Sequence, residues 1–516
     1  MKALAIIFGK DNFWIHQQLG NTNCVSKVLA EVSQYPQVEE TLVCLPSGTV
    51  IPELNECKKE NLSVVNLEEW TSQCFFSTIE KKCKDFESVW FCNLDSPFCT
   101  KENAELLWNI YSQYGAEYVF ADGYPCGLFP ELIASGIVPA LNLLSQKMSV
   151  SPLNSESLFS VIKTDINSFE IETQIAPKDM RSFRADLRCS YKRDYLLVSK
   201  INEQLKNDFS ASSICDYIMA NQNILRTVPS FYAIQIHVDC KINCIYCHFE
   251  ESDLVVPQKS MELSNFKTIV KKIADFSSEA VVSLSFWGEA ALNSHIVDFV
   301  KAVLDYPGLS VFIETSGSLW KTGDIESIAI LAKNAVPRTN GHSPVEFVVS
   351  LDATNQAEYE ILHKGAVFSE VLSVTEKLIE LFPSSVWPQF LRVNETEDYL
   401  ESFYRFWKEK LGRVLIQKYD DFCKQLPDKK PTDLSPLVRN PCWHIKRDMN
   451  ILLDGTVIPC RELIKKDDIK KYSYGNIFES EICDLWKKGE ALCEQHVLKQ
   501  YPLICGKCDE YYTFNF

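Results

Sequence analysis

Two periodicities run along the chain and divide it into zones. Between residues 1 and 145, KALAIIFG, ETLVCLPSG and SVWFCNLD are apolar runs of strand length, while SKVLAEVSQY and KENAELLWNIYSQYG carry apolar residues at helical spacing. Strands that alternate with helices predict a parallel or mostly parallel sheet. From 146 to 225 the rhythm weakens: SVSPLNSESL reads as a linker and DYIMANQNILRT as a helix, so this zone is expected to be a connecting helical region. From 231 the alternation sharpens. YAIQIHV, AVVSLSFW, LSVFIETS, EFVVSLDA, QFLRVNE and GRVLIQKY are strand candidates, separated by NFKTIVKKIADF, HIVDFVKAVLDY, DIESIAILAKNA, EVLSVTEKLIELF and YLESFYRFWKEKLG as helices. Crossovers of that length predict an open or partial (β/α)6 barrel over 226–435, with its chemistry at the C-terminal strand ends. Residues 436–516 lose the rhythm, and NILLDGTVIPC reads as a hairpin turning at Asp454-Gly455. The expected class is α/β, with a small α+β domain at the end.

Length and charge narrow the functional classes. A chain of 516 residues suggests about three domains. A formal charge of −17 argues against nucleic acid or anionic lipid as a partner. No apolar run reaches the roughly 20 residues that span a bilayer. The opening MKALAIIFGKDNFW reads as a buried strand rather than a signal peptide. The sequence has 20 cysteines. With no export signal, the expected compartment is the reducing cytoplasm. Cys24, Cys44, Cys74, Cys83, Cys189 and Cys215 read as small buried hydrophobes.

Regular spacing sets other cysteines apart. CKINCIYCHFEES places Cys240, Cys244 and Cys247 just past the first barrel strand, with three and two residues between them. Iron–sulfur clusters take cysteine thiolates, and three on one loop leave one iron open. A zinc site completed by His248, or a two-cysteine redox pair, are the alternatives.

This loop resembles that of the radical S-adenosylmethionine (SAM) superfamily, and the likeness extends over roughly 225–516. The resemblance implies a 4Fe–4S cluster on the three cysteines, its open iron chelating SAM. Reductive cleavage would give a 5′-deoxyadenosyl radical that takes a hydrogen from the substrate. It also implies that Tyr246 packs near the adenine and that His248 is only a neighbour. SFWGEA is similar to the family's G-G-E segment: Gly288 and Glu289 match it as contacts to the SAM amino group, whereas Trp287 stands at the first glycine. ETSG is similar to the polar-Gly turn near the ribose. EFVVSLDA makes Ser350 and Asp352 candidates for the ribose or carboxylate. YEILHKGAVF puts Lys364 where the family carries a carboxylate-binding arginine, and lysine offers a point charge rather than a fork. Taken singly, such Gly-Glu and Ser-x-Asp strand ends are more often turns or caps.

Cys442 and Cys460 flank the hairpin, and Cys505-x-x-Cys508 lies near the end of the chain. Four thiolates suit a zinc or a 4Fe–4S cluster. Their spacing resembles the SPASM or shorter twitch extension of radical SAM enzymes, which implies one auxiliary 4Fe–4S cluster on all four. Cys483 and Cys493 read as core, and Cys423 as core or near the substrate. Arg392 and Asn394 share a strand face and are candidates for substrate polar groups.

In the N-terminal zone, FCNLDSPFCTKENAELLWNIYSQYGAEYVFADGYPCGLFPELI resembles cytidylyltransferase-like nucleotidyltransferases, with Asp95 at the magnesium-binding position. IIFGKDNFWIHQQLG lacks their Gly-rich phosphate loop, so a degenerate binding or docking domain is an equal expectation. The combined layout resembles the spirochaete-type spiro-SPASM family. The function implied is a radical SAM oxidoreductase or maturase that acts on a peptide, a protein or a sugar-like metabolite. Its reductant would be a flavodoxin or ferredoxin. A zinc-binding scaffold and a nucleotidyltransferase with an appended metal domain are the alternatives.

Overall fold

A computed structural model describes residues 2–56, 61–206, 208–249 and 259–513. They form two compact units, Met1–Thr227 and Val228–Phe516.

The first unit is built on a seven-stranded sheet. Its strands are β1 (Ala3–Phe8), β2 (Val38–Pro46), β3 (Leu62–Leu67), β4 (Ser88–Asn93), β5 (Tyr118–Asp122), β6 (Glu131–Ala134) and β7 (Ile171–Ile175), in the order β3-β2-β1-β4-β6-β5-β7. Only β6 runs antiparallel to its neighbours. Every residue of β1 is buried, because helices cover both faces of the sheet. Its period of two is still visible: Ala3, Ala5 and Ile7 enter one core, and Leu4, Ile6 and Phe8 the other. The 146–225 segment, expected as a connector, belongs to this unit. Its strand β7 pairs in parallel with β5 from Tyr118↔Ile171 to Asp122↔Ile175, and Leu197, Val198 and Ile201 enter the same core as Ala3.

The second unit holds a nine-stranded sheet. Six parallel strands come from the predicted runs: β8 (Phe231–Ile234), β9 (Ala280–Ser283), β10 (Leu309–Thr315), β11 (Val345–Ser350), β12 (Val386–Arg392) and β13 (Leu415–Lys418). Three more come from the C-terminal zone: β14 (Asp448–Ile451), β15 (Thr456–Ile458) and β16 (Gly475–Asn476). The order β13-β12-β11-β10-β9-β8-β14-β15-β16 has two free ends, so the barrel is partial. The C-terminal zone, expected as a small separate domain, shares this sheet, because β14 pairs in parallel with β8. The hairpin forms where expected, β14 against β15, with Gly455 at φ +87° in the turn.

Helices between the strands, such as Leu263–Ser277, cover the outer face. Phe266, Ile269, Val270 and Ile273 are completely buried at helical spacing. Each such side chain contributes about 1.5–3 kcal/mol on burial. Strand alternation then separates two environments. Tyr232 and Ile234 of β8 join the helix-covered core, whereas Phe231 and Ala233 join an inner cluster with Phe312, Val348 and Leu391. The inner face carries the site. Among the described residues, no helix is long and apolar enough to cross a membrane.

Candidate active site

The C-terminal strand ends of the second unit open on a cavity of about 540 Å³. Its walls include Cys240, Cys244 and Cys247 together with Cys442, Cys460, Cys505 and Cys508. The two cysteine groups, 195 residues apart at their nearest members, therefore face one space.

After β8 the cysteine loop is pinned by a two-residue antiparallel pairing, Asn243↔Lys364 and Cys244↔His363. Ile245 N donates to Leu362 O at 3.0 Å, and Cys247 N to Cys244 O at 3.1 Å. Burial pushes the Cys240 and Cys244 thiols up, and Cys247 adds to both. A positive centre among the three sulfurs is what would hold them as thiolates, so this donor set fits a cysteine-ligated metal cluster. Burial, helped by the charge of Arg461, lowers His248 to about 3 and keeps it neutral. Its ring packs 4.6 Å from Phe422 and 5.6 Å from Trp287.

The strand-end residues divide into those that face the cavity and those that do not. Tyr246, Gly288, Glu289 and Ser350 line it. A Cβ on Gly288 would lie 2.0 Å from His237 O, so no larger residue fits there. Trp287 keeps the left-handed backbone that suits a glycine, at φ +50°, a strained state for a bulky residue. Glu289 is 5% exposed, and its oxygens accept from Thr315 Oγ1 (2.6 Å), Ser316 N (2.9 Å), Ser316 Oγ (2.7 Å) and Ala291 N (3.3 Å). Its carboxylate thus holds the ETSG turn in place, and these contacts use about all the acceptor sites such a group has.

The structure places two of the candidates away from the cavity lining. Asp352 is 0% exposed and does not line the cavity. Its φ of +56° breaks the strand alternation that would have aligned it with Ser350. It accepts instead from Tyr246 Oη (3.2 Å) and Leu391 N, and pairs with His363 Nε2 at 2.8 Å. Lys364 is exposed and absent from the lining, because in the two-residue strand His363 takes the inward position. His363 was missed from the sequence: its Nδ1 lies 3.2 Å from Cys244 Sγ. The relay Cys244–His363–Asp352 fixes a cysteine of the loop through buried groups. Of the strand-face pair, Arg392 is bound by Glu397, Asn394 is exposed, and neither lines the cavity.

Around the C-terminal cysteines, Glu510 N donates to Cys508 Sγ at 3.3 Å, and Arg439 binds the carbonyls of Cys505 and Cys508. A fifth cysteine joins them. Cys423 is 4% exposed, lines the cavity and lies within hydrogen-bonding reach of Cys508. Phe422, Cys423 and Lys424 all have positive φ (48°, 60° and 66°), a turn that no local pattern announces. Cys493 is buried, as expected, while Cys483 is partly exposed.

In the first unit, Cys24, Cys44, Cys83, Cys189 and Cys215 are buried and Cys74 is partly so. Asp95 accepts from Ser190 Oγ at 2.6 Å, and its carbonyl from Cys189 N at 2.7 Å. A Cβ on Gly9 would meet Leu94 Cβ at 2.6 Å, so side chains pack directly against the backbone after β1. Asp95 ties down the 189–190 segment.

Residues 234–406 match the model of the Radical SAM superfamily, and 442–509 that of an iron–sulfur cluster-binding domain, SPASM. The chain belongs to the radical SAM superfamily. Membership makes it an enzyme that binds iron–sulfur and cleaves SAM. An uncharacterized protein of Treponema pallidum (strain Nichols) is 38% identical over 365 residues, covering 70% of this chain and 98% of the relative. Among solved structures, Streptococcus suis SuiB bound to its precursor peptide SuiA shares 13% identity at a TM-score of 0.42, over 66% of this chain and 83% of that one. A cytidylyltransferase from Leptospira borgpetersenii serovar Hardjo-bovis (strain JB197) shares 16% at a TM-score of 0.36, over 43% and 96%.

Proposed function

We propose that this radical SAM enzyme oxidises a substrate held in the 540 Å³ cavity between two cysteine-ligated clusters. In this reading Cys240, Cys244 and Cys247 hold the SAM-binding 4Fe–4S cluster, and Cys442, Cys460, Cys505 and Cys508 hold one auxiliary 4Fe–4S cluster. The observation that carries it is that both cysteine groups line the same cavity. Held by these cysteines, the clusters would supply one-electron chemistry, reductive cleavage of SAM at the three-cysteine site and uptake of the electron from substrate oxidation at the four-cysteine site. A flavodoxin or ferredoxin is the proposed external reductant.

The protein's own residues prepare that chemistry. His363, backed by Asp352, orients Cys244, and Asp352 also anchors the hydroxyl of Tyr246, whose ring lines the wall near the proposed adenine. Gly288 allows the strand end after β9 to lie directly on the backbone at His237. Phe286, Trp287 and Phe312 make the wall apolar and exclude water from a reactive intermediate.

Anaerobic reconstitution tests this. The expected product is a brown protein with about eight irons in two clusters, which forms 5′-deoxyadenosine from SAM under reduction. Stoichiometric zinc and no visible absorption would overturn it.

A further inference from the structure

The nine-stranded sheet ends in a strand whose open side belongs to the cavity. β13 has no strand beyond it among the described residues, and all four of its residues, Leu415, Ile416, Gln417 and Lys418, line the cavity. The sheet's other end, β16, contributes nothing to the lining. Side-chain direction does not account for this. Leu415 packs on the inner cluster, whereas Ile416 packs on the helix-covered core, so Ile416 reaches the cavity through its main chain.

The ladder shows which main-chain groups are open. Gln389 O of β12 accepts from Leu351 N (3.2 Å) and Asp352 N (3.0 Å), so Gln389 turns its main chain towards β11. Leu391 follows two residues on and donates its N–H to the Asp352 carboxylate on the same side. Phe390 and Arg392 therefore turn towards β13, where their register partners are Ile416 and Lys418. In a parallel ladder a residue bonds the two neighbours of its partner, so Phe390 takes Leu415 and Gln417. The N–H and C=O of Ile416 and Lys418 point away from the sheet, and no main-chain partner meets them among the described residues. A lysine often guards such an edge, but the Lys418 ammonium is drawn off by Asp509 and Glu510.

The open groups define their own complement. Each pair is one donor and one acceptor, and the pairs recur at about 6.6 Å along the strand. A substrate that expels water from the cavity without meeting them strands each group at a cost of about 1–3 kcal/mol. A second extended main chain meets them all, because it carries the same groups at the same repeat. We propose that the substrate is a peptide or protein segment that pairs with β13 as an added strand and turns alternate side chains into the cavity. The proposal rests on the reading of this cavity as the substrate chamber. Of the two substrate classes expected from the sequence, it selects the peptide over the sugar-like metabolite.

The test uses the reconstituted full-length protein with SAM saturating its own site. A synthetic library of acetylated, amidated random heptapeptides is passed over it, and the enriched peptides are resynthesised. An enriched peptide should slow hydrogen exchange at the Ile416 and Lys418 amides by about tenfold. Maltose at the same concentration should protect neither. A copy N-methylated at every residue, with the same side chains but no main-chain donors, should bind more than about tenfold more weakly. Ile416→Pro removes one outward N–H and no ladder bond, and should weaken binding about fivefold. Ile416→Val keeps that N–H and should bind as the wild type does. Should Ile416→Pro fail to fold, the N-methylated copy asks the same question of the wild type. Enrichment of no peptide, equal binding of the N-methylated copy, unchanged exchange at both amides, or protection of both by maltose would overturn the proposal. Formation of 5′-deoxyadenosine by the wild type separates the two readings. If it forms while both amides exchange as before, only the strand pairing fails; if neither clusters nor 5′-deoxyadenosine appear, the reading of the chamber fails.

Discussion

Replacing His363 with alanine probes the relay that positions the cysteine loop. Its imidazole and the Asp352 carboxylate are both 0% exposed and 2.8 Å apart. The ring also stacks on Tyr359, with centroids 4.4 Å apart and 18° between planes. The substitution leaves Asp352 buried with Tyr246 Oη and Leu391 N as its remaining donors among the described residues. Removing one partner of a buried pair costs about 3–5 kcal/mol, and the lost stacking about 0.5–1.5 kcal/mol. Urea unfolding of the apo-protein should show a loss in the upper part of the first range. A double-mutant cycle with Asp352→Asn should give a coupling of about 1.5–3 kcal/mol. Because a thiolate at Cys244 needs a donor on Nδ1, His363→Ala should also weaken retention of the SAM-site iron against a chelator by about 10–100-fold. The C-terminal cluster should be unaffected. A cost below about 1 kcal/mol, zero coupling, or unchanged iron retention would refute the relay.

Four further outcomes are expected. Cys240, Cys244 and Cys247 changed together to alanine should leave about four of eight irons and abolish 5′-deoxyadenosine formation, checked by iron assay and chromatography; persistent cleavage would place the catalytic loop elsewhere. Cys423→Ala should keep about eight irons, since four other cysteines surround the auxiliary site, and loss of four would make Cys423 a ligand. Gly288→Ala must open a 2.0 Å contact with His237 O, at a cost of about 1–3 kcal/mol, visible as a lower unfolding midpoint and poorer SAM binding. Glu131, whose carboxyl burial raises to about 7 against the opposing hydrogen bond from Tyr118, should make the first unit pH-sensitive. The folded state holds this proton more tightly than the unfolded one. Its stabilising contribution is therefore complete below about pH 4.5 and lost as pH rises through about 7, by about 3–4 kcal/mol. Glu131→Gln should flatten that slope in urea titrations, and an unchanged slope would contradict the assignment.

The periodicity of the chain was enough to find six parallel strands of the second unit and five of the helices between them, because each strand faces helices on one side and the inner cluster on the other. Spacing alone also drew out both cysteine groups and the Asp454-Gly455 turn. Local pattern reached less far wherever a long-range pairing decided the outcome. Strand β7 is short and only partly buried, so nothing in its own sequence announces that it extends the first sheet and draws 146–225 into that unit. Strand β14 reads as half of a hairpin, and only its second partner, β8, joins the C-terminal zone to the barrel sheet.

The residues of the site divide the same way. Sequence by itself determined the three-cysteine loop, the four-cysteine set and their place after strand ends, since these depend on residue type and short spacing. Tertiary structure alone decided that both sets share one cavity, that His363 rather than Lys364 faces Cys244, and that Asp352 turns away from the cavity. It also brought Cys423 beside Cys508 and left the Glu462 side chain without a hydrogen-bond partner among the described residues. The physical reason is that a side chain's direction follows its backbone pairing and the sign of φ. A two-residue strand at 363–364 and left-handed turns at 352 and 422–424 reverse directions that local alternation would otherwise set.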